Sequence, residues 1–195
     1  MHQNKRRKIL FLVIGMLADE GQLYEILEGV EKLNDGRVDV AVECESDPQK
    51  IYKILEFNRP DVLHICTDLV YEHLMFDKDK LGSVFVLLEG VVNIKCVIFG
   101  FLSSDELAKS IDLNWQYSGS IISKIAFGLV SDRLMVDFVV KFYEIFCFKN
   151  NELIRSFDKV VAGLILDDVS KKDIEKIYFA NGQGHPVHEG HFFDE

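Results

Sequence analysis

Residues 9–15 are an unbroken aliphatic run ending in glycine, the pattern of a strand covered on both faces. Over 20–33, Leu23, Ile26, Leu27, Val30 and Leu33 recur at i, i+3 and i+4, which predicts an amphipathic helix closed by the turn signal Asn34-Asp35-Gly36. Residues 37–44 alternate, Val38, Val40 and Val42 against Asp39, Ala41 and Glu43, so a second strand with one drier face is expected. Ser46-Asp47-Pro48 offers an N-cap and a proline at the first helical position, opening a helix over 49–58 that ends before Pro60. Short apolar strands are predicted at 62–66, 95–99 and 121–127, and helices at 80–91, 103–110, 131–148 and 151–166, with a loop or short hairpin over 67–76.

Strands and helices alternating at these lengths predict the α/β class: a three-layer sandwich around a mostly parallel central sheet, joined by right-handed crossovers. The helix over 131–148 is apolar nearly all round, leaving Asp132, Arg133, Asp137, Lys141 and Glu144 as its polar face, so it is expected to pack in the core. Residues 1–7 read as a basic stub, 8–170 as one domain, and 171–195 as a loosely held, polar, histidine-rich tail.

Of 195 residues, 48% are hydrophobic, which excludes a disordered or low-complexity chain. The 32 acidic against 22 basic residues leave a net charge of −10, which argues against a nucleic-acid partner, since phosphate binding draws its affinity from clustered cations. Cys44, Cys66, Cys96 and Cys147 are widely separated and read as core thiols of a reducing compartment, hence a cytoplasmic protein. Lys5-Arg6-Arg7-Lys8 before 9–17 imitates a signal peptide, but no small-residue cleavage site follows and the run is too short to span a bilayer. No membrane association is expected.

In such a sheet, chemistry gathers at the carboxyl ends of the strands, here the loops beginning at Gly15, Ser46, Cys66, Gly100 and Phe127. Gly15-Met16-Leu17-Ala18-Asp19 lacks both glycine-rich phosphate fingerprints, so no nucleotide cofactor is expected. Asp19-Glu20 and Asp68 imitate the acids of a phospho-receiver, but Asp68 lies past its strand and Lys124 stands before the end of its own. His185, His188 and His191 with Glu189 form a weak metal-binding candidate; Pro186 and Gly190 deny the rings a common helical face, so no metal site is expected. Ser118-Gly119-Ser120 has no triad partners, and Trp115 and Tyr117 are candidate aromatic anchors.

A more specific pattern spans 8–166. Arg59-Pro60-Asp61-Val62-Leu63-His64-Ile65-Cys66-Thr67-Asp68-Leu69 resembles the "RPDIVHFSGHG" segment of CHAT domains, caspase-like cysteine proteases of bacteria and archaea. Cys96-Val97-Ile98-Phe99-Gly100-Phe101-Leu102-Ser103-Ser104 resembles their "VVLNACYS" segment. Ile125 to Asp132, followed by Phe138 and Phe142-Tyr143-Glu144, resembles their "IGMxxxISD…F…FYE" unit, and Lys8-Ile9-Leu10-Phe11-Leu12 their "KILFL" start.

The resemblance implies a caspase-like fold and sets the catalytic histidine's position on Asp68 and the cysteine's on Phe101. Phenylalanine has no nucleophile, and a carboxylate does not replace imidazole as proton shuttle at neutral pH. The expectation is therefore a catalytically inactive pseudoprotease, not an enzyme, binding through Asp68, Phe101, Leu102 and Ser103. Its expected partner is another protein chain, an active protease or a sensor, in prokaryotic signalling or defence, with the chain as regulator or adaptor. Two alternatives stay open. One is an active protease with a dyad rebuilt around His73, although Cys66 stands on the histidine strand and Cys96 at the wrong end of its own. The other is a flavodoxin-like small-ligand or phospho-dependent switch. His64 is expected to be a packed, hydrogen-bonded core histidine.

Overall fold

The computed structural model describes residues 6–14, 21–34, 36, 38–67, 93–100, 122–149 and 152–180. Its strands are β1 (Arg7–Ile14), β2 (Val38–Cys44), β3 (Val62–Thr67), β4 (Cys96–Gly100), β5 (Ser123–Phe127) and β6 (Ile177–Ala180). Its helices are α1 (Gly21–Leu33), α2 (Pro48–Asn58), α3 (Asp132–Tyr143), α4 (Leu153–Leu166) and α5 (Lys171–Ile174). The sheet order is β2-β1-β3-β4-β5-β6; the first five strands are parallel and β6 is antiparallel to β5.

Both faces of β1 are buried, as its uninterrupted apolar run requires. Ile9, Phe11 and Val13 join the core shared with α1, α3 and α4, whereas Leu10, Leu12 and Ile14 join a second core with Ile51 and Leu55 of α2. Helices on both faces make this a three-layer α/β sandwich. The local signals act as expected: Asp47 accepts the Gln49 N–H at the start of α2, and Arg59 ends the helix with φ 46°, its N–H returning to the Leu55 carbonyl just before Pro60. Gly36, at φ 84°, closes the turn after α1, and its N–H donates to Asn34 Oδ1.

Three elements depart from the sequence expectation. The long helix at 131–148 is α-helical only to Tyr143 and continues as a π-helical turn over Glu144–Phe148, in which the Lys149 N–H reaches the Glu144 carbonyl. The wider turn keeps three successive residues, Phe146, Cys147 and Phe148, buried together. The expected core packing is observed, with α3 lying in the core beside α1 and α4. Residues 171–180, read as the start of the polar tail, form α5 and β6. Ile177 and Phe179 are buried, and Phe179 stacks on Phe157 of α4 at 4.6 Å. Finally, the drier face of β2 is covered only at Val38; Val40 and Val42 remain 37% and 44% exposed, β2 being the outermost strand among the described residues. The helices expected at 80–91 and 103–110 lie outside the described residues.

Candidate functional site

Five parallel strands turn their carboxyl ends to one edge of the sheet. There β3 ends at Thr67 and β4 at Gly100, on neighbouring strands with Cys66 in register with Gly100. Adjacent strands lie about 4.8 Å apart. The strand ends that immediately precede positions 68 and 101 therefore stand side by side. Asp68, Phe101, Leu102 and Ser103 themselves lie outside the described residues, as do His73, Trp115, Tyr117, Ser118 and the tail histidines His185, His188 and His191. Among the described residues no three His, Cys, Asp or Glu side chains are grouped to hold a metal ion.

Directly beneath this edge sits His64, on the same face of β3 as Cys66. Its ring is fully buried, stacks on Phe11 with centroids 5.0 Å apart, and shares a 2.9 Å hydrogen bond between Nδ1 and the Tyr143 hydroxyl. Nε2 makes no hydrogen bond and is aimed at Gly100: a β-carbon at that glycine would stand 2.6 Å from it. Burial holds the imidazole neutral, its pKa lowered from 6.5 to about 3. The expectation of a packed, hydrogen-bonded core histidine is met at one ring nitrogen. In the sequence Tyr143 stands out only as a residue of the Phe142-Tyr143-Glu144 match, with no hydrogen-bonding role assigned to it. A buried tyrosine hydroxyl among phenylalanines demands a partner, and that was the available signal.

The three buried thiols are equally unreactive in this setting. Burial pushes Cys66 and Cys96 far above the ordinary thiol range, with nearby Cys44 and Cys147 respectively adding to the effect. Cys147 is pushed up to about 12, again mainly by burial. Cys96 opens β4, at the opposite edge from Gly100, as its sequence position suggested. Lys124 is the second residue of β5, buried, and not at the carboxyl edge where a phospho-receiver needs its lysine. At the amino edge, Asp61 ties three strands together: its carboxylate accepts the Lys8 N–H at 3.1 Å and meets Lys95 Nζ at 3.0 Å, while its backbone N–H reaches the Lys8 carbonyl at 2.9 Å. This pins β3 between β1 and β4 and so sets the alignment of their far ends.

Among the described residues no helix is long and apolar enough to cross a membrane. No protein-family model matches the chain, and no curated protein matches it.

Proposed function

We propose that this chain is a catalytically inactive, CHAT-like module of caspase-like fold that works in the cytoplasm by protein–protein contact, as a regulator or adaptor in a prokaryotic signalling or defence system. The observation that carries the reading is the adjacency of β3 and β4. Positions 68 and 101 follow neighbouring strand ends, the arrangement a dyad needs, yet are occupied by aspartate and phenylalanine. Supporting it, three of the four cysteines are buried and protonated and His64 is neutral, so none of these groups supplies a thiolate–imidazole pair. On this reading, Phe101 turns a reactive position into an apolar contact for another chain, an active protease or a sensor.

The test combines two measurements on the full chain. Tagged protein purified from its native cells should retain a stoichiometric partner that Phe101→Ala loses. A thiol-directed peptide electrophile should label nothing faster than an ordinary exposed thiol such as Cys44. Rapid labelling abolished both by one cysteine substitution and by His73→Ala would instead establish a rebuilt dyad.

A second reading draws on one specific observation: the order β2-β1-β3-β4-β5 is that of flavodoxin-like sheets, with a ligand crevice where the chain reverses direction between β1 and β3. The antiparallel β6 extends that plan. Saturable binding of inorganic phosphate or a flavin mononucleotide, with no protein partner recovered, would favour this reading.

A further inference from the structure

Strand β2 is the outermost strand of the sheet among the described residues, and its sequence Val38-Asp39-Val40-Ala41-Val42-Glu43-Cys44 pairs in register with β1 along its whole length. The Glu45 N–H donates to the Val13 carbonyl, which fixes the direction of every amide before it. Alternation points Asp39, Ala41 and Glu43 toward β1, and the N–H and C=O groups of Val40 and Val42 outward from the sheet. Natural edges are blunted by lysine, proline or a bulge. This one has no lysine, proline or bulge; its only charges are the carboxylates of Asp39 and Glu43, and its α1 side carries exposed valines.

The charge on its other side selects what can pair there. Asp39 and Glu43 flank Ala41 on the α2 face; Arg6 approaches Asp39 at 3.5 Å, but both side chains stay largely exposed. A second copy pairing antiparallel over the full strand, centred on Ala41, would set Asp39 opposite Glu43 twice. Like charges directly opposed across strands are destabilising. A strand that alternates apolar and basic residues meets the valines on one face and the carboxylates on the other.

We propose that β2 is a docking edge for an extended segment of another protein with alternating apolar and basic residues, added as a further strand alongside β2. This deepens the reading of the chain as a protein-binding module by naming the chemistry of one partner. Its site is β2 rather than the carboxyl edge, so failure here and failure of the Phe101→Ala test are separate results.

The test uses the full chain with a synthetic nonapeptide of alternating valine and lysine, and its valine–glutamate counterpart. The lysine peptide should bind at least about tenfold more tightly than the glutamate peptide, and saturation should slow amide exchange at Val40 and Val42 by about tenfold or more. Exchange at Asp39 and Ala41, already turned toward β1, should not change. Val42→Pro removes an outward N–H without touching the β1 ladder and should weaken binding by about tenfold or more. The surface double variant Asp39→Lys with Glu43→Lys should reverse the peptide preference. Absence of binding, equal affinity for both peptides, unchanged exchange at Val40 and Val42, or binding that survives Val42→Pro would each overturn the proposal. A dimer of the free chain that Val42→Pro dissolves would overturn it in favour of self-pairing.

Discussion

Gly100→Ala should destabilise the chain by about 2–3 kcal/mol, read as a fall in the urea midpoint at neutral pH with the m-value unchanged. The new β-carbon would stand 2.6 Å from His64 Nε2 and 3.4 Å from Cδ2. A contact that close forces something to move, and the imidazole is poorly placed to do so. Phe11 stacks on one side of the ring and the Tyr143 hydroxyl holds Nδ1 at 2.9 Å, all within a core whose residues there are buried. Strand β4 is held between β3 and β5, so its backbone is no freer.

The cost should therefore belong to the pair rather than to the glycine. In a His64→Ala background, Gly100→Ala should cost less than about 0.5 kcal/mol, giving a coupling of about 2 kcal/mol in the double-mutant cycle. An equal cost in both backgrounds would mean that backbone conformation, not the ring, requires glycine. Because Gly100 leads directly into Phe101, the same substitution should also disturb the proposed contact edge.

That close contact lay beyond the sequence for a physical reason. Periodicity reports which face of an element is apolar, so the continuous runs at 9–15 and 62–66 announced strands buried on both sides. It does not report which strand is outermost. The valines of β2 have the same pattern as a covered face, and only the sheet order leaves Val40 and Val42 uncovered. The antiparallel β6 is four residues long and follows Lys171-Lys172-Asp173-Ile174-Glu175-Lys176, a polar stretch that masked the alternation of Ile177 and Phe179.

The site was legible to a different degree. The resemblance marked positions 68 and 101, and strand pairing brings the ends preceding them together. The side-chain contacts beneath them join residues far apart in the chain, as His64 and Tyr143 are, 79 positions apart. Neither residue's neighbours in sequence specify that contact. A lone histidine in an apolar strand predicts burial and a partner, but the partner's identity is set by how α3 crosses the sheet.

Acid should destabilise this protein through His64 from just below neutral pH. The folded imidazole has its pKa lowered from 6.5 to about 3 by burial, so between those values the unfolded chain binds a proton that the folded chain refuses. The stability associated with the neutral ring is therefore fully present above pH 6.5 and declines as the pH falls toward 3, with a limiting slope of about 1.4 kcal/mol per pH unit. By pH 4.5 the loss should reach about 2–3 kcal/mol. Among the described residues the ring's hydrogen-bond partner is Tyr143, and that hydroxyl and the thiols that act on it, Cys66, Cys96 and Cys147, all have pKa values raised by burial and so are neutral throughout this range.

The carboxylates with depressed pKa values act lower. Glu28 is hydrogen-bonded and paired to Lys32, Glu45 accepts the Asp47 and Ser46 amides, and Asp173 accepts from Ser170. Their contributions are lost only as the pH falls through their own lowered values, below the interval from pH 6.5 to 5 in which the His64 effect sets in. In His64→Gln the other groups remain, and the difference between the two pH–stability curves cancels them. Urea unfolding across that interval should show wild type losing stability toward acid more steeply than His64→Gln, by nearly one proton's worth of slope at its lower end. Parallel curves would mean that His64 gains a proton in the folded state, which requires Nε2 to find an acceptor and Gly100 to move away from it.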